Sequence, residues 1–155
     1  MRAPALCLTC LAGFAATFLP ALPSAASEGD EQLSTPRRAL ELFINSGREG
    51  DYERAARALD LSALPQQQRA AEGARLARRL KLVLDQQLWI DWEGISDEPA
   101  GDPADGPDVE NIGAIPLGDT TIPVSLARID GEAGGQVWKL SAASVARIPA
   151  LYEAY

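Results

Sequence analysis

The chain has 155 residues, with 14 basic against 22 acidic side chains and no histidine. This length suits one domain of ordinary size. Both cysteines, Cys7 and Cys10, lie within the first 26 residues. Without that segment the chain has no means of disulfide formation, common zinc binding, thiol chemistry or histidine catalysis. The acidic surplus disfavours nucleic acid as a partner, because phosphate contacts need positive surface.

The first 26 residues have the pattern of a secretory signal. Arg2 is the only charged residue before Glu28, and the uncharged stretch from Ala3 to Leu22 is rich in alanine and leucine. Small residues then occupy positions 24–26, where a signal peptidase reads the chain. We therefore predict a signal peptide over 1–26, a periplasmic location, and no transmembrane segment after cleavage.

A transmembrane anchor is the rival interpretation of this stretch, since about 20 apolar residues suffice to span a bilayer. Pro20 and Pro23 interrupt the stretch near its end, and no cluster of Lys or Arg precedes it. We therefore favour cleavage. Removing Arg2 from the 14 basic residues leaves 13 against 22 acidic ones, a net charge of −9.

Residues 27–34 are predicted to form a disordered leader, followed by a single domain over 35–155. Thr35 and Pro36 mark a helix start, since threonine caps the helix and proline needs no hydrogen-bond acceptor there. Asp51 marks the start of a second helix, which carries Tyr52, Ala55, Ala56 and Leu59 on one face.

A third, long helix is predicted from about Gln66 to about Leu88. Its apolar side chains recur at helical spacing and form one stripe, consisting of Leu76, Leu80, Val83, Leu84 and Leu88. The next stretch, Trp89 to Ile95, is compatible either with a continued helix or with a short extended segment.

Three runs then have strand character, Ile112 to Leu117, Thr121 to Ile129 and Gln136 to Ser141. Short links that contain glycine join them, which predicts antiparallel hairpins. Pro116 and Pro123 lack an N–H donor, so the strands should meet solvent or a bulge at these positions.

The predicted fold class is α+β. About three N-terminal helices, the third of them long, pack on a small three-stranded antiparallel sheet. A short last helix is predicted from Ala142 to Ile148, ahead of Pro149.

Seven short stretches, taken in order, resemble the N-terminal extracytoplasmic domain of bacterial mechanosensitive channels of the small-conductance (MscS) family. They span nearly all of the chain beyond the signal, and they are Thr35-Pro36-Arg37-Arg38-Ala39, Gly50-Asp51-Tyr52-Glu53-Arg54-Ala55-Ala56, Leu88-Trp89-Ile90-Asp91, Ser96-Asp97-Glu98-Pro99, Ile115-Pro116-Leu117-Gly118, Val137-Trp138-Lys139-Leu140-Ser141 and Ile148-Pro149-Ala150-Leu151-Tyr152.

This resemblance implies a non-catalytic accessory or regulatory domain. Its expected partners are the membrane part of a channel or other envelope proteins. In that family membrane helices follow the domain, and no such helices follow Tyr155 here, so a chain truncated before the pore is expected. The order of elements is also similar, more loosely, to the nuclear transport factor 2-like fold. A small-ligand-binding domain with a cup is therefore the alternative.

The aromatic residues are the candidate site residues. We expect Tyr52, Trp89 and Trp138 to act as structural anchors, because aromatic side chains in a small domain usually belong to the core. The alternative places Phe43, Tyr52, Trp92 and Trp138 around the ligand cup.

Charged clusters offer three further hypotheses, each with a simpler structural interpretation. The acidic stretch 97–108 suits calcium by its carboxylates, yet it lacks the usual spacing, and we favour a solvated, flexible loop. Asp91 and Glu93 are a carboxylate pair of the kind glycosidases use, although a single pair occurs often by chance. We predict neither a metal site nor any other cofactor, and no enzyme activity.

Four basic residues of the third helix, Arg75, Arg78, Arg79 and Lys81, are the last cluster. They face either anionic lipid headgroups or a partner, or they form the solvated back of an amphipathic helix. The net negative charge of the chain favours the solvated face.

Overall fold

The computed structural model describes residues 29–131 and 134–155, so the signal peptide predicted over 1–26 lies outside the described residues. The elements form an α+β fold, which confirms the predicted class. Their order is α1 (Pro36–Glu49), α2 (Tyr52–Ala56), a 3₁₀ turn (Gln66–Gln68), α3 (Arg69–Gln87), β1 (Val109–Leu117), β2 (Thr120–Asp130), β3 (Gln136–Leu140) and α4 (Ala142–Ala154).

Both predicted caps begin helices as expected. The hydroxyl of Thr35 accepts the N–H of Arg38, and the carboxylate of Asp51 accepts the N–H of Arg54. Each cap satisfies a backbone donor that the first helical turn leaves without a partner. Between the two helices Gly50 adopts a left-handed conformation with φ 78°, which closes α1.

The sheet is antiparallel in the order β1-β2-β3, as the hairpin links predict. A bulge lies between Asn111 and Gly113. The prolines are placed as expected. Pro116 is exposed on the edge strand β1, and Pro123 is exposed on β2 beyond the end of β3, which pairs only as far as Leu126. Neither proline therefore removes a ladder bond that the sheet needs.

The core lies between one face of this sheet and the helices. Phe43 from α1, Leu80 from α3, Ile115 and Trp138 from the sheet, and Ile148 from α4 are all at most 1% exposed. The apolar stripe predicted for the long helix points into this core. Within 29–131 and 134–155, every helix is too short or too polar to traverse a bilayer.

The free edge of β3 is covered by backbone from earlier in the chain. The N–H of Trp138 donates to the carbonyl of Leu33 at 2.7 Å, and Leu140 exchanges backbone bonds with Ala58 and Asp60. Leu33 is only 3% exposed. The structure thus corrects the expectation of a disordered leader for residues 29–34, because this segment caps an edge that would otherwise leave polar groups unsatisfied.

Helix α4 extends past its predicted end at Ile148 and continues through Pro149 to Ala154. Proline removes one intrahelical donor, which is normally costly in a helix interior. Here Ile148 and Leu151 are both at most 1% exposed, on either side of the proline. Burial of their side chains offsets the missing bond and keeps the chain helical.

Trp89 was expected to be an anchor, and the structure contradicts this, since its side chain is 94% exposed. Helix α3 ends at Gln87, and the chain continues extended from Leu88. In an extended chain alternate side chains point to opposite sides. Leu88 and Ile90 pack against the core, so Trp89 between them points to solvent.

We predict that Trp138→Ala lowers the free energy of unfolding by about 3–5 kcal/mol, because it empties a fully buried site in the core. Trp89→Ala is the matched control and should change it by no more than about 0.5 kcal/mol. Urea denaturation followed by circular dichroism measures both. Equal losses in the two variants would contradict the assignment of Trp138 as the anchor.

Candidate functional site

The acidic loop, residues 96–108, is held by a buried carboxylate that sequence reasoning did not identify. Glu110 lies on β1 opposite Leu126 and is 0% exposed. One carboxylate oxygen accepts the N–H of Ser96 at 2.6 Å, and the other accepts the N–H of Asp102 at 2.9 Å. A buried carboxylate is tolerated only when such donors satisfy it. The loop backbone therefore supplies what Glu110 requires.

Trp138 holds the same loop from the sheet. Its indole N–H donates to the carbonyl of Pro99 at 3.0 Å. Gly101, at φ 77°, lies against the indole ring so closely that a Cβ there would stand 2.7 Å from a ring carbon. Only glycine both adopts this backbone conformation without strain and fits against the ring.

Three aspartates of the loop are also engaged within the chain. Asp105 accepts the backbone N–H and the side-chain amide of Asn111, and Asp108 pairs with Arg128 at 3.4 Å. Asp97 accepts the hydroxyl of Thr35 at 2.7 Å. The loop is therefore tied to helix α1 and to both strands of the first hairpin, in contrast to the flexible loop that composition suggests.

The calcium hypothesis finds no support in this geometry. Across the described part of the chain, no three acidic, histidine or cysteine side chains lie together as a metal site would require. The carboxylates of the loop instead accept hydrogen bonds from the chain itself, as Asp102 does from Ala104 at 2.8 Å. Carboxylates used in this way stabilise turns.

The pair Asp91 and Glu93 likewise has a local role. The carboxylate of Asp91 accepts the backbone N–H of Glu93 at 3.2 Å, and both residues are exposed. This is a turn closed by an aspartate side chain.

The ligand cup predicted between the helices and the sheet is replaced by solid core. Phe43 and Trp138 are both 0% exposed, so neither side chain can line an open cavity. Tyr52 and Trp92 are half-buried and pack against the same core. The structure thus corrects the cup lining, because these four aromatic side chains fill the interior instead of surrounding a space.

An open groove of about 550 Å³ does occur elsewhere, where α2 and the start of α3 meet the β2–β3 hairpin. Its lining mixes both signs of charge, with Glu53, Arg57 and Lys139 among the contributors. Arg69, also in the lining, already donates to the carbonyls of Ser62 and Leu64. The groove therefore presents no convergent set of groups for one ligand class.

The basic cluster on α3 is divided by burial. Arg75 and Arg78 are exposed and Arg79 is half-buried, whereas Lys81 is only 5% exposed. The ammonium group of Lys81 pairs with Asp85, and its stem packs so closely on Gly47 that a Cβ there would stand 2.9 Å from it. Lys81 therefore belongs to the packing of α3 on α1 and not to a solvated face.

Sequence reasoning also missed an exposed aromatic surface. We define the basic aromatic face by Leu82 from α3, Tyr152 from α4 and Tyr155 directly after α4, which surround one shallow depression, and by Arg79, whose guanidinium lies 5.0 Å from the centre of the Tyr152 ring. The three apolar members are between 37% and 46% exposed. Tyr152 and Tyr155 lie three residues apart, a spacing that would have shown a shared face had α4 been predicted past Pro149.

A group of three serine hydroxyls joins the sheet to α4. Ser141 caps α4, and its hydroxyl contacts those of Ser144 and Ser125 at 2.9 and 3.1 Å. Ser144 is 4% exposed and also accepts the N–H of Ser125. Each hydroxyl is satisfied by its neighbours, so the group joins the sheet to the start of α4.

Searches against family models, curated proteins and solved structures find no match to this chain. The geometry contrasts a polar loop fixed to the core with an aromatic surface left in solvent.

We predict that Glu110→Gln destabilises the fold by about 1–3 kcal/mol, since the amide turns a donor toward one of the two N–H groups. Glu98→Gln, at an exposed position in the same loop, is the control and should cost no more than about 0.5 kcal/mol. Urea denaturation gives both values. A Glu110→Gln chain as stable as its control would show that the carboxylate does not hold the loop.

We predict that Gly101→Ala costs more stability than Gly50→Ala, although the two glycines have nearly equal φ, 77° and 78°. A Cβ at Gly50 meets nothing within 4 Å, so that variant measures only backbone strain, about 1 kcal/mol. At Gly101 the overlap with Trp138 adds about 1–3 kcal/mol. Equal thermal midpoints for the two variants would contradict the close contact between loop and indole.

Proposed function

We propose that this chain is an exported, non-catalytic accessory domain of the bacterial cell envelope. Its role is regulatory, and it acts through its surface on envelope proteins, with the membrane part of an MscS-type channel as the favoured partner. Three lines support the proposal, namely the signal pattern at the N-terminus, the resemblance to the extracytoplasmic domain of that channel family, and the arrangement of the polar side chains.

The observation that carries the proposal is the inward engagement of the carboxylates around the acidic loop. Glu110, the most deeply buried of them, has no exposed surface and accepts two backbone N–H groups of the loop. Asp97 and Asp105 accept hydrogen bonds from neighbouring segments. A carboxylate committed in this way stabilises a fold and has no reach toward a substrate. This favours a structural and binding role over catalysis.

Export is tested by expressing the full chain with a C-terminal tag in a bacterial host and separating the periplasm from the cytosol. The chain is expected in the periplasm, and its intact mass should equal that of a chain whose first residue is Ser27. A control chain with Leu8→Arg and Leu11→Arg breaks the apolar stretch and should stay in the cytosol at full length. Full-length wild-type chain in the cytosol would contradict the proposal.

The channel partner is tested by recording stretch-activated currents in spheroplasts with and without the chain. We expect the chain to shift the tension at which MscS-type currents open. The destabilised Trp138→Ala chain serves as control, because it has the same signal peptide and the same surface residues but a less stable fold. Equal opening tension in all three cases would reject a channel as the partner.

A further inference from the structure

Trp89 exposes a larger share of its surface than any other large apolar residue in the described part of the chain, at 94%. It belongs to the stretch that follows α3, residues 88–93, which we call the Trp89 segment. Half-buried and exposed residues alternate along this segment, and the half-buried ones, which pack against the core, are Leu88, Ile90 and Trp92. Their packing fixes the outward direction of Trp89, since alternate side chains of an extended chain point to opposite sides. A ring held in solvent in this way is available to a partner.

The Trp89 segment is held firmly against the sheet. Leu88 lies so close to Gly113, next to the bulge of β1, that a Cβ at Gly113 would stand 2.5 Å from a methyl carbon of Leu88. Beyond the other end of the segment, Ile95 is only 4% exposed. Packed residues therefore anchor the segment at both ends. A surface that is ordered in advance loses less conformational entropy when it binds.

Two carboxylates accompany Trp89 on the outer side of the segment. Asp91 follows Trp89 by two residues, so the two side chains share one side of the extended chain. The backbone N–H of Glu93 donates to the Asp91 carboxylate at 3.2 Å, so the exposed residue Glu93 adjoins Asp91. Among residues 29–131 and 134–155, no basic side chain forms an ion pair with either carboxylate. Both negative charges are therefore open to a cation from another molecule.

The stretch around these two carboxylates is also negative. Residues 89–98 contain four acidic side chains and no basic one. Arg37 approaches this stretch from α1, and its guanidinium donates to the carbonyl of Ile95 at 2.8 Å. Four negative charges and one positive charge leave a net charge of −3. The cation–π contact in the described part of the chain joins Arg79 to Tyr152, so no cation from those residues covers the Trp89 ring.

We propose that the Trp89 segment binds an arginine side chain of a protein partner. Tryptophan attracts a cation over its ring more strongly than the other aromatic residues do. A guanidinium also stacks flat on such a ring while its N–H groups donate to nearby carboxylates, here those of Asp91 and Glu93. Tryptophan and arginine are enriched among the residues that dominate the binding energy of protein interfaces.

Charge complementarity selects this occupant over others. A negative stretch repels anionic partners such as phosphate groups. A bound metal ion would need several carboxylates at one point, and no such group occurs in the described part of the chain. The inference deepens the proposed function and rests on it, because it names the chemistry by which an accessory domain would recognise a protein partner.

The test titrates the full chain with a short peptide that carries two arginines between glycine spacers, at physiological salt. Nuclear magnetic resonance follows the backbone amide signals of the Trp89 segment and the indole N–H signals of the three tryptophans. We expect the indole signal of Trp89 to move and that of the buried Trp138 to stay in place. A control peptide with glutamine in place of each arginine should leave all of these signals unchanged.

Three variants separate the local site from the general charge of the chain. Trp89→Ala should weaken peptide binding about tenfold, because the ring is lost. Asp91→Asn should weaken it about threefold, and its remaining side-chain oxygen can still accept the N–H of Glu93. Glu53→Gln, at an exposed position on α2, changes the net charge equally and should stay within about 1.5-fold of wild type, since salt screens distant charges. Every variant carries the same N-terminal stretch, so its contribution cancels in the comparison.

Wild-type affinity in the Trp89→Ala chain would overturn the proposal, as would equal binding of the arginine and glutamine peptides. Equal losses in Asp91→Asn and Glu53→Gln would also overturn it, because they would reveal attraction to the net charge without a local site. A dimer in sedimentation equilibrium that both Trp89→Ala and Arg78→Glu abolish would assign the segment to a second copy of the chain instead of a separate partner.

The peptide titration uses purified protein and no channel. Its failure therefore leaves the export and channel results standing, and failure of either of those would leave peptide binding unchanged.

Discussion

The fold depends on the carboxylate of Glu110, which has no exposed surface and must be satisfied from inside the molecule. Burying a carboxylate without hydrogen-bond donors costs several kcal/mol. Two N–H groups of the acidic loop supply the donors, those of Ser96 and Asp102. The dependence is mutual. Glu110 on β1 holds the loop backbone in place, and the loop backbone satisfies the buried carboxylate of Glu110. Neither is stable in this form alone.

Trp138 connects this pair to the rest of the domain. Its backbone N–H donates to Leu33, its indole N–H donates to Pro99, and its ring supports Gly101. One residue therefore fixes the N-terminal segment, the acidic loop and the edge strand β3 against one another. Helix α1 joins the same loop, since the backbone N–H of Arg37 donates to the carbonyl of Ser96 at 3.0 Å. Networks of this kind couple segments that are distant in sequence and favour a single arrangement.

The consequence for function is a division of the surface. Polar groups of the acidic loop turn toward the chain, and apolar rings at the ends of α3 and α4 turn toward solvent. Trp138 and Trp89 illustrate the two directions, at 0% and 94% exposure. Leaving a tryptophan in water forfeits the free energy that its burial would contribute. The proposed accessory role would give such exposed rings a use as an interaction surface.

Local signals in the sequence determined the elements and their class. Thr35 and Asp51 cap helices by their own side chains. The apolar side chains of α3 recur at helical spacing, which is visible in the sequence alone. The hairpins follow from short links with glycine, and the positions of Pro116 and Pro123 follow from their missing donors. Such features depend on residues a few positions apart, so they can be recognised from a single chain.

Tertiary structure decided what these signals leave open. The burial of Trp89 depends on where α3 ends, and the burial of Trp138 depends on which face of β3 packs against the helices. In an extended segment, a shift of one residue turns a buried side chain toward solvent. Glu110 has a charged side chain, and it becomes a core residue only because the acidic loop folds over it. Helix α4 passes Pro149 because Ile148 and Leu151 find a core to enter. Each of these outcomes rests on contacts between distant segments, whose free energy overrides the local preference.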